Sequence, residues 1–295
     1  MQIAYLISAH TDAPQLKRLI EALHPNAEFF IHIDKKADID IFTRTIKGRN
    51  VHFIPARVDV VWGTLVEVEY QMNLLRAAVA FPKYFDHIFF LSGMDYPLWS
   101  NERITRWLED HAGQEILQGY RMDNPELSPA QHTMYTVARP FSRCRRWAIL
   151  QRILRKAIGL RKPLSFSVEG DTWTLYKGSA WWCISEKLAS YLVNSYEHKP
   201  EIKQYFRDSL GPAETLIQTI AFNSPKFRSR CLITEEGPYP GLPALTPLHF
   251  IEYDPVIKVM DETDYPRLVE SGKMFCRKVV SGKSDALVSC LEKRA

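Results

Sequence analysis

The first hundred residues alternate short apolar runs with helix-spaced apolar residues, and this alternation constrains the fold more than any other feature. Runs typical of buried strands occupy residues 3–8, 29–33, 51–54 and 87–91, and helical spacing occupies residues 14–23 and 65–81. Such alternation indicates βαβ units with a parallel sheet. Because the 295 residues contain no internal repeat and no clear linker, we expect a single α/β domain over residues 1–295.

Positive charge is concentrated in one segment. The chain carries 38 Lys and Arg against 34 Asp and Glu, a net charge of +4. No acid occurs between Glu126 and Glu169, and this gap holds nine bases: Arg139, Arg143, Arg145, Arg146, Arg152, Arg155, Lys156, Arg161 and Lys162. The rest of the chain contains 29 bases and 34 acids, a net charge of −5. An acidic body with one basic segment indicates a local anionic partner rather than a protein that coats nucleic acid.

Cysteine spacing and hydropathy exclude several classes of protein. The five cysteines form no C-x-x-C pair: they are Cys144, Cys183, Cys231, Cys276 and Cys290. We expect neither a disulfide framework nor a zinc site, and a reducing compartment fits best. No apolar run approaches the roughly 20 residues that a membrane-spanning helix needs. No basic stretch precedes the first apolar run, so we expect neither secretion nor membrane insertion.

Polar residues follow the predicted strands. Ligands of open α/β sheets bind beyond the carboxyl ends of the strands, so His10, Asp34 and the turn at residues 93–97 are candidate site positions. The Asp34 carboxylate could accept hydrogen bonds from a ribose or a base, or it could cap a turn. The first strand–helix turn, residues 9–14, lacks the glycine pattern of dinucleotide-binding folds and of P-loops.

A phosphate site without a glycine loop needs side-chain cations. Arg277 and Lys278 are the best candidates, although an adjacent basic pair is often only a solvated surface pair. The one literal D-x-D motif, residues 38–40, lies in a loop rather than at a strand end, so we interpret it as unrelated to a metal. The turn at residues 93–97 offers one carboxylate, Asp95, which is a poor Mg²⁺ site. We therefore expect no metal.

Glu214 is the candidate general base. It lies in the first turn of a predicted helix after Gly211-Pro212. A carboxylate there could have no role beyond a favourable interaction with the helix dipole, or it could take a proton from a sugar hydroxyl. Aromatic side chains could stack on sugar rings or could pack in the core. These aromatic residues are Trp62, Trp173, Trp181, Trp182 and Tyr239.

Seven short motifs follow one another along the chain. They occupy residues 4–10 (AYLISAH), 30–34 (FIHID), 61–63 (VWG), 91–97 (LSGMDYP), 177–182 (KGSAWW), 212–215 (PAET) with 223–225 (NSP), and 274–278 (MFCRK). Together and in this order they resemble glycosyltransferase family 14, the core-2/I-branching β-1,6-N-acetylglucosaminyltransferases and the peptide O-xylosyltransferases. The resemblance covers residues 3 to about 100 and 173 to about 280.

The resemblance implies a glycosyltransferase-A type fold, a Rossmann-like mixed sheet flanked by helices. Residues 1–100 would form the nucleotide-binding half, and residues 101–295 would supply the acceptor side, the base and a diphosphate-binding tail. The implied reaction is inverting transfer from a UDP-sugar, with no metal or other cofactor.

The resemblance also implies individual roles. Glu214 would deprotonate the acceptor hydroxyl, and Arg277 and Lys278 would bind the diphosphate in place of a metal ion. Asp34 would contact the uridine. The other donor-site positions are Ala9, His10, Val60, Val61, Trp62, Ser179 and His249. The positions expected to contact the sugar or the acceptor are Asp95, Trp181, Trp182 and Tyr239.

The sequence departs from the family in two respects. Many relatives carry an arginine where this chain has His249, and a histidine is only partly charged near neutral pH. Diphosphate binding would then depend more on Lys278, or His249 would serve a different donor. The animal enzymes have a membrane anchor and disulfides, which are not expected here, and this suggests a bacterial-type cytoplasmic protein.

The basic segment lies outside the resemblance, as an insertion over residues 137–164. Within it, residues 143–158 carry apolar side chains at helical spacing with bases opposite them. This pattern is typical of an amphipathic helix at a membrane surface, and equally of a helix packed on a core. An acceptor linked to a lipid diphosphate at the inner leaflet would favour the membrane.

These observations predict a metal-independent, inverting UDP-sugar glycosyltransferase. It would add GlcNAc, xylose or a similar sugar to a glycan or lipid-linked glycan in bacterial surface polysaccharide synthesis. It would act in the cytoplasm or peripherally at the inner face of the membrane, without a nucleic-acid partner. The alternatives are a non-catalytic module that binds anionic membranes or nucleic acid through residues 139–162, and a UDP-sugar hydrolase.

Overall fold

A computed structural model of the chain describes residues 1–123, 134–135, 150, 161–233, 245–253 and 256–293. Its strands are β1 (Ile3–Ala9), β2 (Glu28–Ile33), β3 (Val51–Phe53), β4 (His87–Ser92), β5 (Asp95–Pro97), β6 (Glu115–Arg121), β7 (Met134–Tyr135), β8 (Arg161–Lys162), β9 (Ser165–Val168), β10 (Asp171–Thr174), β11 (Tyr176–Gly178), β12 (Cys183–Ile184), β13 (Cys231–Ile233), β14 (His249–Ile251) and β15 (Phe275–Arg277). Its α-helices are α1 (Ala13–Ala22), α2 (Ile39–Thr45), α3 (Val66–Val79), α4 (Asn101–Asp110), α5 (Glu186–His198), α6 (Pro200–Phe206), α7 (Leu216–Phe222), α8 (Pro225–Arg228), α9 (Tyr265–Glu270) and α10 (Asp285–Glu292). Two 3-10 turns are Pro212–Glu214 and Glu262–Asp264.

Eight strands form the central sheet. Their order is β11-β6-β12-β4-β1-β2-β3, with β13 also paired to β6. Strand β1 pairs in parallel with β2 and with β4, and β2 pairs in parallel with β3. Strand β12 runs antiparallel to β4 and β6. The predicted class, a Rossmann-like mixed sheet flanked by helices, is confirmed.

Helices cover both faces of this sheet, which explains the continuous apolar sequence of its central strands. In β1, Leu6 points into a cluster with residues of α3, α5 and α7, whereas Tyr5 and Ile7 point into a second cluster with residues of α1, α2 and α4. All three side chains are 0% exposed. The apolar run that the sequence showed at residues 3–8 is therefore a fully buried strand.

A second, smaller sheet joins the C-terminal part of the chain to the end of β4. Strand β15 pairs in parallel with β14 and antiparallel with β5. This register places Arg277 opposite Asp95, and His249 opposite Phe275. Because β5 follows β4 after two residues, the three short strands bring residues 249 and 277 to the carboxyl edge of the central sheet. The sequence did not indicate this sheet.

Several element boundaries differ from those expected. The predicted helix over residues 213–222 begins as the 3-10 turn Pro212–Glu214 and becomes α7 only at Leu216. The aromatic segment at residues 173–184, expected to be a strand pair, contains parts of β10, β11 and β12. Strand β6, which lies between β11 and β12, was not predicted.

Four cysteines are free in the described part of the chain: Cys183, Cys231, Cys276 and Cys290. Cys144 lies outside the described residues. Of the helices that the structure describes, none is both long enough and apolar enough to cross a bilayer.

Candidate active site

The carboxyl ends of β1 and β2 meet at Asp34. The Asp34 N–H donates to Ala9 O at 2.9 Å. Asp34 Oδ1 accepts from Lys36 N–H at 3.0 Å, and its Oδ2 lies 3.0 Å from Lys36 Nζ. Asp34 therefore caps a turn, which was one of its two expected roles. Lys36 Nζ also donates to Val60 O at 2.6 Å, so it holds the loop before α3 against this strand end.

Arg277 is fixed by a buried carboxylate. Its Nη1 lies 2.9 Å from Asp95 Oδ1, and the two side chains are 15% and 0% exposed. The guanidinium also lies 4.6 Å from the centre of the Trp181 ring, within the range of a cation–π contact. Burial alone would raise the pKa of Asp95, but the charges of His249 and Arg277 hold this pKa below its usual value. Asp95 is thus ionised at neutral pH and pairs with Arg277.

His249 does not occupy the phosphate-contacting position that the resemblance implied. Its side chain is 0% exposed, and its Nε2 donates to Asp95 Oδ2 at 3.1 Å. Its ring centre lies 5.4 Å from that of Trp181 and 5.2 Å from that of Phe275. Asp95, expected at the substrate, is also 0% exposed. Both expectations are corrected, because these two residues lie behind Arg277 and can act only through it.

Lys278 and His10 lie close to Arg277. Lys278 follows Arg277 through a cis peptide bond and is partly exposed. Its pKa is lowered, first by partial burial and then by the charges of Arg277 and Lys283. The pKa of His10 is also lowered, chiefly by burial of its ring, with Lys278 and Arg277 adding to this effect and Asp34 opposing it. A bound anion would relieve this crowding of positive charge. We call Arg277, Lys278, Asp95 and His249 the cation end.

Glu214 lies on a turn that a glycine permits. Gly211 precedes the turn with a φ of +66°, a left-handed conformation that glycine adopts without steric cost. The Glu214 side chain is 43% exposed, and its Oε2 lies 3.6 Å from Lys177 Nζ. The carboxylate is therefore open to an incoming hydroxyl and has an ammonium group beside it.

A second carboxyl, that of Glu67, lies near Glu214 and was not predicted. Glu67 Oε2 accepts from the Gly63 N–H at 2.7 Å, and Gly63 O accepts from the Gly211 N–H at 3.0 Å. Burial raises the pKa of Glu67 to about 7; the Gly63 N–H opposes this rise and the charge of Glu214 adds to it. The T-x-x-E pattern at residues 64–67 is a helix-start signal that could have drawn attention to Glu67. We call Glu214, Glu67 and Lys177 the carboxylate end.

Tyr70 lies between the two ends. Burial raises the pKa of its phenol; Glu67 and Asp34 add to the rise, whereas Arg277 lowers it. Tyr70 lies one helical turn after Glu67, and its ring stacks on Phe90, which also stacks on the Trp181 ring beside Arg277. Sequence reasoning did not identify Tyr70 either.

The G-S-x-W motif lies against the cation end. A Cβ atom at Gly178 would lie 2.0 Å from Gln118 O, so only glycine permits this strand pairing. Ser179 is 5% exposed, and its Oγ accepts from the Trp181 N–H at 3.2 Å. Ser179 O accepts from Gln218 Nε2 at 2.6 Å. The motif thus orients the Trp181 ring under Arg277.

The other aromatic candidates lie in different surroundings. Trp182 is 0% exposed and stacks on Phe90, with ring centres 5.2 Å apart. It is a core residue, so the prediction that it contacts substrate is wrong. Trp62 is 74% exposed, and Val61 beside it is partly buried. Tyr239 lies outside the described residues.

Most of the basic segment also lies outside the described residues, including the seven bases from Arg139 to Lys156. Lys162 is described: its Nζ lies 2.5 Å from Asp208 Oδ1, and its side chain is 12% exposed. This base forms an internal ion pair and does not contribute to a surface that could face a membrane.

In the ranges that the structure describes, no group of three His, Cys, Asp or Glu side chains is placed to hold a metal ion. Asp38, in the literal D-x-D motif, accepts from the Asp40 N–H at 3.0 Å and caps α2. Asp38 is therefore a helix cap, and the Asp40 carboxylate lies 3.6 Å from Arg44 Nη2 on the same helix. That the reaction needs no metal remains a prediction.

The chain is similar in sequence to a known enzyme family and to several curated proteins. The family model described as "Branch: Core-2/I-Branching enzyme" matches residues 3–235. Xylosyltransferase 2 of Mus musculus is 26% identical over 240 residues, which are 78% of this chain and 25% of that protein. The chain therefore spans about a quarter of the length of the curated relatives it matches.

Two solved structures show more distant likeness. A galactosyltransferase in complex with donor and acceptor sugar analogues is 11% identical with a TM-score of 0.39, covering 99% of this chain and 93% of that one. A protein described as a glucose-1-phosphate thymidylyltransferase from Bacillus anthracis is 12% identical with a TM-score of 0.36, covering 80% of this chain and 87% of that one.

Proposed function

The chain belongs to the core-2/I-branching enzyme family, and from this we propose that it is an inverting glycosyltransferase that moves a sugar from a UDP-sugar to a hydroxyl of a glycan acceptor without a metal ion. One observation carries the proposal. Two adjacent cations, Arg277 and Lys278, form one end of the site, and an accessible carboxylate, Glu214, forms the other, with Glu67 beside it on α3. An inverting displacement needs a base and a cationic site for the leaving group.

The proposed reaction has one displacement step. The acceptor O–H gives its proton to Glu214 while its oxygen forms a bond to the anomeric carbon of the donor. The bond between that carbon and the diphosphate oxygen breaks, and the electron pair leaves with UDP. The attacking oxygen enters opposite the leaving group, so the anomeric configuration inverts. A positioned general base typically contributes about 10²–10⁴ in rate.

The cation end supports departure of the diphosphate. Charge develops on UDP as the bond breaks, and preorganised cations in a water-poor site stabilise such charge by several kcal/mol as an order of magnitude. Arg277 is held in place by Asp95 before any ligand binds, so no reorganisation is needed. Lys278 adds a second, more exposed charge. In this proposal the two side chains do the work that a divalent cation does in metal-dependent enzymes.

The donor nucleotide and the acceptor would occupy different parts of the site. Asp34 and His10, with the loop at residues 60–62, lie at the strand ends where a uridine would bind. Trp181 lies beside Arg277, where the donor sugar would follow the diphosphate. Trp62 is exposed near the carboxylate end and presents a ring face on which an acceptor sugar could stack.

The cellular setting is part of the proposal. We propose a glycan or lipid-linked glycan acceptor in the synthesis of a surface polysaccharide, with the enzyme in the cytoplasm or at the inner face of the membrane. Support comes from the seven bases between Arg139 and Lys156 in the acid-free segment, which suit an anionic lipid surface or an acceptor phosphate. No nucleic-acid partner is proposed, because the excess of positive charge is confined to this segment and the rest of the chain has a net charge of −5.

A UDP-release assay over a panel of UDP-sugars, with and without a glycan acceptor and with and without EDTA, tests the proposal. We expect one donor to give UDP release that the acceptor accelerates at least tenfold and that EDTA leaves unchanged. Release that no acceptor accelerates would indicate a hydrolase. Activity abolished by EDTA and restored by Mn²⁺ would refute metal independence.

A further inference from the structure

We propose that Glu67 is a positioning residue for the base: through Gly63 it holds the turn that carries Glu214, and it holds this turn most firmly when its carboxyl group is ionised. The inference deepens the proposed function and rests on it for the role of Glu214. No motif of the family resemblance includes Glu67, but three hydrogen bonds connect it to Glu214.

The hydrogen bonds form a continuous connection. Glu67 Oε2 accepts from the Gly63 N–H at 2.7 Å, Gly63 O accepts from the Gly211 N–H at 3.0 Å, and Gly211 O accepts from the Glu214 N–H at 3.3 Å. Gly63 and Gly211 both have positive φ values, of +76° and +66°. Two left-handed glycines have many alternative conformations in the absence of contacts. The carboxylate of Glu67, anchored on α3, selects one of them.

Several charged or titratable groups lie near Glu67. Glu214 faces it from the 3-10 turn, with Lys177 of β11 beside Glu214, while Tyr70 lies one turn along α3 and Arg277 lies beyond Tyr70. Burial and the charge of Glu214 together raise the pKa of Glu67 to about 7. An ionised carboxylate accepts a stronger hydrogen bond than a neutral carboxyl does. Ionisation of Glu67 near pH 7 therefore strengthens its bond from the Gly63 N–H and holds the turn that carries Glu214 more firmly.

The first test compares the pH dependence of transfer in the wild type and in Glu67→Gln. We expect kcat of the wild type to rise with an inflection near pH 7, and the variant to lack this inflection. At pH 8 the variant should have about fivefold lower kcat, with the donor KM changed by less than about twofold, because only the step that uses the base is affected. If the pH profile of kcat for Glu67→Gln keeps the inflection near pH 7, the inference is wrong.

The matched control is Glu69→Gln. Glu69 lies two residues along the same helix and accepts a hydrogen bond from the Tyr196 hydroxyl, away from the site. A general effect of removing a carboxylate from α3 would appear in this control as well. We expect Glu69→Gln to keep the inflection near pH 7. If this control also lacks the inflection, the effect is not specific to Glu67.

The second test does not depend on turnover. The folded pKa of Glu67 is about 7 and its ordinary value is 4.5, so its stabilising contribution is complete below pH 4.5 and is lost as the pH rises through 7. Gln cannot ionise, so the Tm of Glu67→Gln relative to the wild type should increase between pH 5 and pH 8. In a Glu214→Gln background this increase should occur at lower pH, because the neighbouring charge is gone.

The two tests separate the two proposals. If no UDP-sugar supports transfer but the Tm increase moves to lower pH in the Glu214→Gln background, the two carboxyls are coupled and only the transferase assignment fails. If transfer is found but the increase in Tm occurs at the same pH in the wild-type and Glu214→Gln backgrounds, the inference about Glu67 fails and the proposed function stands.

Discussion

The cation end and the carboxylate end of the site are built in opposite ways. Arg277 lies on a strand and pairs with Asp95, whose side chain is 0% exposed. Glu214 lies on a turn after a left-handed glycine, and its side chain is 43% exposed. The first charge is fixed by a buried partner before any ligand arrives, whereas the second is held by backbone hydrogen bonds in an accessible loop.

The difference follows from what each end has to do in the proposed reaction. Stabilising a departing diphosphate requires charges that are already oriented, because their reorganisation would add to the barrier. Taking a proton requires a group that touches the acceptor and can exchange its proton with water afterwards. Variants at the cation end should therefore affect stability, donor binding or both, and loss of the Glu214 carboxylate should affect turnover alone.

The largest effect on stability is expected for Arg277→Met. Removing one partner of a buried ion pair leaves the other charge uncompensated, which costs about 3–5 kcal/mol. Because His249 still donates to Asp95, we expect the lower end of this range, a loss of about 3 kcal/mol in the free energy of unfolding. Urea unfolding monitored by tryptophan fluorescence measures it.

Two further variants serve as controls for Arg277→Met. Arg277→Lys keeps the charge and should lose less stability. The double variant Arg277→Met with Asp95→Asn removes both charges and should be more stable than Arg277→Met alone. If Arg277→Met unfolds at the same urea concentration as the wild type, the ion pair does not organise this end of the site.

A smaller effect, confined to binding, is expected for Lys278→Met. Lys278 is partly exposed and its pKa is already lowered by Arg277, so losing its charge should change stability little. We expect the affinity for UDP to fall about tenfold, or about 1.4 kcal/mol, measured by titration calorimetry. The control is Lys283→Met, an exposed lysine nearby. Equal UDP affinity in the two variants would show that Lys278 has no special part in binding.

Much of the fold and part of the site could be predicted from the sequence. Apolar runs and helical spacing indicated β1, β2, β4 and α3, because these elements bury long, periodic segments. The motifs indicated Glu214 and the Arg277-Lys278 pair. The association of Asp95 with His249 could not be predicted, because these residues are 154 positions apart and meet only through three strands of three residues each.

Neighbouring residues of one motif show a second limit. Trp181 and Trp182 both stack on Phe90, but Trp182 is 0% exposed whereas Trp181 is partly buried and also contacts Arg277. Composition alone does not say which of two adjacent tryptophans reaches the site. Glu67 was missed for another reason: its helix-start pattern is common and has an ordinary structural explanation.

The role of Glu214 as the general base is tested most directly by sugar transfer in Glu214→Gln under single-turnover conditions, with UDP binding measured on the same preparation. We expect transfer to fall at least about 100-fold, as for loss of a general base, while UDP affinity stays within about twofold and the unfolding midpoint within about 1 °C of the wild type. Transfer at the wild-type rate, or a loss of UDP binding as large as the loss of transfer, would show that Glu214 is not the base.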